Sequence, residues 1–449
     1  MTPLFASKSM GGAQKQLKKV ALHLAETGHQ VTVLCTYRQP DASETFYWHP
    51  RAQVLPILRF KQPFPEPYDT PIYNIANAIY DVIDHMQHGD AYYSHDGGLI
   101  FPFVHQHKPS TVSLRSVLFS ETLQSGFLFN TDALIVPAPY TAQVWQATAG
   151  QFYPQLPERI HTILNGLDFE RYHPNVFTEN LIKRLSLAPE KYRYLLYPHR
   201  PDEAKGIRQT ILLVEKLVKE YGYTDIRVLI PQWIDTGLAA HVKAYYDGLA
   251  RDIAERGLTD YFVFHEWISD DDMPAYFALG SLTLVLGNYV ETFGNTPYES
   301  LACGTPALVA NVGAYRGVIP NAYTFDYGDT KRAAEMAAHF LQYGDGKKVE
   351  TLAWLHTHYQ QLDMVCHYEQ VILETPKQAP LEHKFRPIIG YQLAPWCYVT
   401  SSDAIYHDFL GHGEFHPQLI IALEKGLFHG DPIATTYRTN GWIVPIFAH

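Results

Sequence analysis

Two glutamates with seven residues between them form the most specific chemical signal in the sequence. Glu291 and Glu299 enclose Thr-Phe-Gly-Asn-Thr-Pro-Tyr, and a turn of small residues ends at Pro306. An apolar run that predicts a strand ends at Leu286, and Pro297 is typical of the first turn of a helix. Amide groups at the start of a helix face outward and bind anions. The segment therefore predicts a loop and a helix N-terminus that suit a phosphate or a sugar.

A purely structural explanation accounts for part of this segment. Thr296 and Glu299 have the spacing of a capping box with Pro297 at the first helical position, so Glu299 could serve only to close the helix. A cap explains neither Glu291 nor the small-residue turn that ends at Pro306. We therefore favour a functional role for the whole segment.

Two cations follow another predicted strand. Arg200 and Lys205 stand five residues apart in the loop after Tyr194–Tyr197. A guanidinium can hold a phosphate with two parallel hydrogen bonds, and a lysine acts on it as a point charge. The spacing permits both to converge on one diphosphate, although isolated loop cations are more often solvated surface groups.

Length and composition indicate a globular protein with more than one lobe. The 449 residues exceed one ordinary core, and 46% of them are hydrophobic. The net charge of −11 argues against nonspecific nucleic-acid binding, which needs a dominant basic face.

The cysteines and the hydropathy pattern indicate the cellular compartment. Four scattered cysteines suit a reducing compartment. No apolar run reaches the roughly 20 residues of a membrane span and residues 1–10 lack the apolar stretch of a signal peptide, so we expect a cytoplasmic protein.

Alternating strand-like and amphipathic segments predict two α/β lobes, each with a parallel sheet covered by helices. In the first lobe, Gly12 precedes a predicted helix, and strands are predicted at Pro3–Ser7, Gln30–Thr36, Ala91–Ser94, Thr111–Leu114 and Ala133–Pro137. In the second, strands are predicted at Tyr194–Tyr197, Ile226–Ile230, Tyr261–Phe264, Leu282–Leu286 and Pro306–Ala310, and helices at Gln209–Tyr221 and Ala239–Arg256. The predicted domains are 1–168, 169–375 and a C-terminal extension, 376–449, packed on the lobes.

Four motifs, taken in order, resemble the retaining glycosyltransferase family 4. They are the Gly11-Gly12 loop with its helix ending at Gly28, Asn165-Gly-Leu-Asp168, Arg200 with Lys205-Gly206, and the Glu291 to Glu299 pair with the turn to Pro306. The resemblance covers about the first four-fifths of the chain and does not reach the extension. It implies the α/β class and the GT-B fold, in which the parallel sheets of two Rossmann-like lobes face each other across a cleft.

The resemblance also implies roles for the charged residues. Arg200 and Lys205 would bind the donor diphosphate and neutralise it as it leaves. Glu291 would contact the transferred sugar, and Glu299 would accept hydrogen bonds from the ribose hydroxyls. Fixed cations at the leaving oxygen act where charge develops in the transition state, which is where they accelerate the reaction most.

Other implied contacts lie on the backbone and in the first lobe. The backbone at Phe293 and Gly294 would touch sugar and phosphates, and Gly12 would approach the diphosphate from the first lobe. His95, after a predicted strand, would help to orient the sugar or the attacking hydroxyl, although a packed or surface histidine explains it equally well. Arg115 stands where family members commonly have histidine, a departure that would suit an anionic acceptor or a different donor sugar.

The implied activity is hexosyltransferase-like. A sugar would pass from a nucleoside diphosphate sugar, UDP or GDP first, to a carbohydrate, lipid-linked or small-molecule acceptor with retention of anomeric configuration. We expect neither a cofactor nor a metal, since the sequence has no Asp-x-Asp pair of the sort that many metal-dependent glycosyltransferases use, and Asp270 to Asp272 better suit the start of a helix. Lys15, Lys18 and Lys19 would permit peripheral contact with the inner membrane face, although a solvated helix face is the simpler explanation.

Two other functions remain open at this point. A GT-B nucleotide-sugar epimerase or sugar-phosphate enzyme would use the same donor site for different chemistry. A non-catalytic nucleotide-sugar binding protein would bind the donor without turnover.

Overall fold

The computed structural model of the chain describes most of the sequence. The described residues are 11–36, 44–60, 70–98, 102–200, 202–232, 239–402, 404–413, 423, 426, 430 and 432–448. The predicted strand at Pro3–Ser7 lies outside them. Among the described residues, no helix combines the length and apolarity that crossing a bilayer requires.

The part of the chain up to residue 166 contains four helices and seven strands among its described residues. The helices are α1 Gly12–Glu26, α2 Ile72–Gln87, α3 Ser120–Phe127 and α4 Pro139–Ala147. The strands are β1 Val31–Thr36, β2 Phe46–His49, β3 Ala52–Leu58, β4 Tyr92–His95, β5 Ser110–Ser113, β6 Ala133–Val136 and β7 Ile160–Thr162.

From residue 167 to residue 360, the described residues alternate between strand and helix. The strands are β8 Arg193–Leu196, β9 Ile226–Gln232, β10 Phe262–Glu266, β11 Leu282–Val285, β12 Ala307–Ala310 and β13 Thr324–Phe325. The helices are α5 Glu179–Arg184, α6 Ile207–Lys219, α7 Ala239–Glu255, α8 Met273–Ala278, α9 Asn295–Ala302, α10 Thr330–Tyr343 and α11 Lys348–His358.

The rest of the chain begins with a long helix and continues in short elements. The helices are α12 Gln361–Glu374 and α13 Pro432–Thr439, and the strands are β14 Ile388–Leu393, β15 Cys397–Val399, β16 Ile405–His407, β17 Gly411–His412 and β18 Ile443–Phe447. Strands β14 and β18 pair antiparallel, and β15, β16 and β17 form a second small antiparallel sheet.

The chain folds into two compact units. Unit 1 contains residues 1–166, 361–399 and 404–449, and unit 2 contains residues 167–360 and 400–403. The predicted boundary at 168 lies two residues past the observed one. Further along the chain, α12 and most of residues 376–449 are grouped with unit 1.

Unit 1 is built on two sheets. Strands β4, β5, β6 and β7 form a four-stranded parallel sheet in that order, and β1, β3 and β2 form a three-stranded sheet. One buried cluster explains why α12 returns to this unit. Apolar residues of α12 pack with those of α1 and β6 in a cluster that contains Val20, Leu24, Ile135, Ile163, Met364, Val365, Tyr368 and Ile372.

A buried carboxylate joins the segment after α12 to unit 1. Asp132 is 2% exposed and accepts hydrogen bonds from the backbone amide and the hydroxyl of Ser110. It also accepts from Lys377 Nζ at 3.0 Å and from the backbone amide of Gln378 at 2.9 Å. A buried carboxylate is tolerated when such donors surround it, so Asp132 fixes the start of the extension on this unit.

Unit 2 contains one six-stranded parallel sheet. Its strand order is β10-β9-β8-β11-β12-β13, which is the doubly wound order of dinucleotide-binding folds. The four residues of β11 and of β12 are all buried, as expected for strands covered by helices on both faces. Two lobes with parallel sheets confirm the predicted fold class.

Most predicted elements are present within one or two residues. The structure adds β2, β3, β7 and β13 in the two predicted lobes and β14 to β18 in the extension, none of which the sequence predicted as strands. Helix α9 begins at Asn295 with Gly294 as its N-cap, so the capping box predicted at Thr296 does not form. Glu299 therefore lies inside the helix and does not close its N-terminus.

Candidate functional site

The candidate site lies at the topological switch point of the unit 2 sheet. From β8 the sheet continues through β9 on one side and through β11 on the other, so the loops after β8 and β11 leave adjacent strands at the same edge. Ligands of doubly wound sheets bind at this place, outside the carboxyl ends of the strands. The first loop carries Arg200 and Lys205, and the second carries Glu291.

A close approach of two backbones brings these loops together. Gly206 has φ +93°, and a Cβ there would overlap the backbone nitrogen of Gly287. A Cβ at Gly287 would in turn overlap the carbonyl oxygen of Ala204. The Tyr289 amide donates to that same carbonyl oxygen at 2.9 Å. Only glycine fits at both positions, and the contact fixes the neighbouring Lys205 relative to the second loop.

Lys205 is held by two partners in the second loop. Its Nζ donates to Glu291 Oε1 at 2.5 Å and lies 3.5 Å from the centre of the Tyr289 ring. The side chains of Lys205 and Glu291 are 20% and 23% exposed. A charge pair this sheltered interacts more strongly than one in bulk water, and the ring face adds a favourable cation–π contact. The ammonium is therefore positioned before any ligand arrives.

The backbone around Glu291 is fixed from a third loop, the one that follows β12. The Ala314 amide donates to the Glu291 carbonyl oxygen at 2.8 Å. Gly313 has φ +57°, and a Cβ there would lie 2.5 Å from that oxygen. This loop was not predicted from the sequence to take part in the site.

The segment after Glu291 leads into the N-terminus of α9. Gly294 has φ +73° and is the N-cap, so the first amides of α9 follow it directly. The Phe293 side chain is 3% exposed and stacks on Tyr298 with ring centres 4.6 Å apart. Packing therefore occupies the Phe293 ring, and a backbone contact with sugar and phosphates stays a prediction.

Tyr315 also belongs to this site, although the sequence did not indicate it. It is 4% exposed, and its hydroxyl would overlap a Cβ at Gly294. Burial, together with the carboxylates of Glu291 and Glu299, raises the pKa of Tyr315 well above its ordinary value. Its hydroxyl thus keeps its proton.

His199 is a second residue that the sequence did not indicate. It is 8% exposed, and its Nε2 donates to the Leu284 carbonyl oxygen at 3.0 Å. Burial, with the nearby Lys205 ammonium, lowers the pKa of His199 to about 3. The histidine is neutral, and its hydrogen bond ties the end of β8 to β11.

We expect His199 to make the folded state less stable in mild acid. Below about pH 6.5 the unfolded histidine takes up a proton and the folded one does not, so stability falls as pH drops towards 3, by up to about 1.4 kcal/mol per pH unit. Urea midpoints at pH 7 and pH 5 measure the loss. It should be smaller in His199→Gln, whereas His339→Gln, at an exposed position on α10, should behave like the parent. Equal losses in all three proteins would contradict this assignment.

Arg200 and Glu299 remain predictions at the level of individual contacts. Arg200 lies in the loop after β8 with an exposed side chain, and Glu299 is half-buried in α9. The structure thus brings Lys205, Glu291 and Gly294 together on neighbouring loops. It places Arg200 on the loop that carries Lys205, and Glu299 on α9, which follows Gly294.

The predicted first-lobe residues lie in unit 1. Gly12 is the first residue of α1, with Gly11 as N-cap. His95 Nε2 donates to the Ala13 carbonyl oxygen at 2.8 Å, so Nδ1 accepts from the Tyr93 hydroxyl at 2.6 Å. Burial, then Arg115, lowers the pKa of His95 to about 3. Both ring nitrogens are engaged, as in a packed histidine, and a role in sugar orientation stays a prediction.

Arg115 makes structural contacts inside unit 1. Its Nη1 donates to the Tyr368 hydroxyl at 3.2 Å, and its Nη2 donates to Asn165 Oδ1 at 2.6 Å. Its backbone amide donates to Asp96 Oδ1 at 3.1 Å. These contacts join the end of β5 to α12 and to Asn165. A role of Arg115 in acceptor binding stays a prediction.

Across the described part of the chain, no three His, Cys, Asp or Glu side chains form a group that could hold a metal ion.

Comparison with known families matches both halves of the chain. A family described as glycosyl transferases group 1 matches residues 179–350, and one described as glycosyltransferase family 4 matches residues 10–171. Together the two matches span about three quarters of the 449 residues. The first match includes every unit 2 residue discussed above.

Individual relatives are distant. A D-inositol 3-phosphate glycosyltransferase of Streptomyces scabiei is 25% identical over 213 residues, which are 43% of this chain and 47% of the relative. A putative glycosyltransferase, YtcC, of Bacillus subtilis is 20% identical over 47% of this chain and 52% of its own. The matched region thus spans about half the length of these curated relatives.

Solved structures share the fold over most of the chain. A sucrose-phosphate synthase of Thermosynechococcus elongatus superposes with a TM-score of 0.65 at 16% identity, covering 81% of this chain and 93% of that one. The HepE protein of Anabaena, solved in complex with UDP and glucose, superposes with a TM-score of 0.62 at 16% identity over 82% of this chain and 97% of its own.

Proposed function

We infer from the two family matches that the chain is a group 1 glycosyltransferase with the GT-B fold, and we propose that it transfers a sugar from a nucleoside diphosphate sugar to an acceptor hydroxyl. The donor diphosphate would bind in unit 2, at the loops after β8 and β11. The observation that carries this proposal is the Lys205–Glu291 pair at the switch point of the sheet, beside the N-terminus of α9. A cation, a carboxylate and helix amides then meet the phosphates and the sugar of one donor.

The proposed step uses these residues without a metal. The bond between the anomeric carbon and the diphosphate oxygen breaks, and its electron pair stays on the leaving oxygen. Lys205, with Arg200, stabilises the negative charge that develops there. The acceptor oxygen forms the new bond on the same face of the sugar, and its proton passes to the leaving phosphate. Retention of configuration follows from attack on that face.

Glu291 has a double role in this proposal. Without donor, its carboxylate holds the Lys205 ammonium at 2.5 Å. With donor bound, the ammonium turns to the diphosphate, and the carboxylate accepts hydrogen bonds from hydroxyls of the transferred sugar. Glu299 would accept from the ribose hydroxyls.

Substrates are proposed from the relatives. The Anabaena structures contain UDP, or UDP-glucose, so UDP sugars are the first donors to test and GDP sugars the second. The names of several curated relatives specify D-inositol 3-phosphate, so a phosphorylated polyol belongs in the acceptor panel beside free sugars and lipid-linked acceptors.

A donor and acceptor panel tests the proposal. The protein is incubated with UDP and GDP sugars, with and without each acceptor, and nucleoside diphosphate release and the anomeric configuration of the product are measured. We expect acceptor-dependent release from one donor, with the anomeric configuration retained. A changed sugar without nucleoside diphosphate release would indicate an epimerase, and a rise in melting temperature without turnover would indicate a binding protein.

A further inference from the structure

The Tyr315 side chain reaches the N-terminus of α9 from the loop after β12. Its ring is buried, and its hydroxyl occupies the space beside Gly294 where any larger residue would have a Cβ. Gly294 is the N-cap of α9, so the hydroxyl lies next to the helix end whose amides face outward. The tyrosine thus contributes a polar group where the positive end of the helix dipole attracts an anion.

The hydroxyl lies beside Gly294, which stands between the two glutamates of the site in the chain, and the neighbouring Ala314 amide donates to the Glu291 carbonyl oxygen at 2.8 Å. Glu291 and Glu299 both act on Tyr315 electrostatically, and with burial they keep the phenol protonated. In the proposed function, Glu291 binds the transferred sugar and Glu299 binds the ribose. The part of a nucleoside diphosphate sugar that connects its ribose to its transferred sugar is the diphosphate. A hydroxyl beside Gly294, in the segment that connects the two glutamates, therefore lies where the diphosphate would pass.

Resting on the function proposed above, we propose that the Tyr315 hydroxyl donates a hydrogen bond to a diphosphate oxygen of the donor at the N-terminus of α9. A phenol that stays protonated is a donor and suits a phosphate oxygen, which can only accept. Gly294 is required in this arrangement because a side chain there would displace the hydroxyl. Tyr315 is then a donor-binding residue in addition to the lysine, arginine and glutamates.

Tyr315→Phe tests the proposal because it removes one oxygen atom and keeps the ring. Calorimetry measures the Kd of UDP and of UDP-glucose, or of GDP and a GDP sugar if the parent prefers guanine. Loss of a hydrogen bond to a charged group should weaken both ligands by about tenfold to hundredfold. Because the lost contact is to the diphosphate, the two ligands should weaken by the same factor.

Tyr323→Phe is the matched control. Its hydroxyl is also buried and bonds Asp345 and Thr351, which lie outside the site. The control should leave both Kd values unchanged, even if it lowers the melting temperature. It separates a loss of ligand contact from a general effect of removing a buried tyrosine hydroxyl.

Other outcomes would overturn the inference. If Tyr315→Phe weakens UDP-glucose and leaves UDP unchanged, the hydroxyl contacts the sugar and not the diphosphate. If both Kd values match those of the parent while Lys205→Ala weakens binding or turnover, the inference fails and the proposed function stands. If the parent binds no nucleotide and releases no nucleoside diphosphate, the proposed function fails, and this inference with it.

Discussion

Lys205→Ala should lower kcat for nucleoside diphosphate release by about 10²- to 10³-fold, which is the effect of removing one fixed charge-stabilising group from an active site. The ammonium lies 2.5 Å from Glu291 Oε1 and 3.5 Å from the centre of the Tyr289 ring, so its position is set before the donor binds. In the proposed step, its charge acts mostly on the leaving diphosphate. Turnover should therefore fall by a larger factor than the affinity for UDP, which steady-state kinetics and calorimetry compare directly.

The chain contains a matched control for this variant. Lys216 also forms a pair with a glutamate, since its Nζ lies 2.6 Å from Glu220 Oε2, but Lys216 is in the last turn of α6 and Glu220 is its C-cap, outside the site. Lys216→Ala should keep parental turnover. Comparable losses in the two alanine variants would show that the Lys205 charge has no special role in the reaction.

Gly206→Ala should destabilise the protein by about 2–5 kcal/mol and abolish most activity. Two causes add: a left-handed backbone at φ +93°, worth about 1–2 kcal/mol, and an overlap of the new methyl group with the Gly287 backbone, worth about 1–3 kcal/mol. The Gly287 backbone cannot rotate away from the new methyl group as a side chain could. Relief of the overlap must separate the two loops, and Lys205 then moves away from Glu291.

Gly222→Ala isolates the first of these causes. Gly222 has φ +75°, and nothing lies within 4 Å of a Cβ there. This variant should be destabilised only by the left-handed backbone, by about 1–2 kcal/mol, and should keep full activity. Urea midpoints and initial rates of both variants make the comparison. If Gly206→Ala were no less stable than Gly222→Ala and equally active, the close approach would not be what positions the site.

Several of the strands that the sequence predicted contain apolar runs. Buried parallel strands such as β6 and β12 are apolar throughout and stand out from their surroundings. Strands β2 and β3 mix aromatic, polar and proline residues, and β13 has only two residues, so none of them has such a pattern. An amphipathic helix reveals which face is buried but not against which unit, so α12 could not be assigned to unit 1 before its contacts were known.

The site was predictable where charged residues occur at characteristic spacings. Lys205 and Glu291 were identified in this way, and the structure places them in contact. Tyr315 and His199 carry no comparable signal, because a lone tyrosine or histidine beside a strand is usually a packing residue. Only the position of Tyr315 in the chain could have indicated its place in the site, because Gly313 and Tyr315 follow β12, the strand next to β11 in the sheet. Loops after neighbouring parallel strands meet at one edge, so a third loop could have been expected there.

The return of α12 to unit 1 has a consequence for folding on the ribosome. A nascent chain emerges from its N-terminus and domains usually fold as they appear. Residues 1–166 appear first, but their core lacks Met364, Val365, Tyr368 and Ile372 until translation has passed residue 372. Unit 2 lies almost entirely within 167–360, so nearly all of its residues have been synthesised when translation reaches residue 372. The unit whose synthesis begins first is thus the last to close its core, and until then it exposes apolar surface that chaperones recognise.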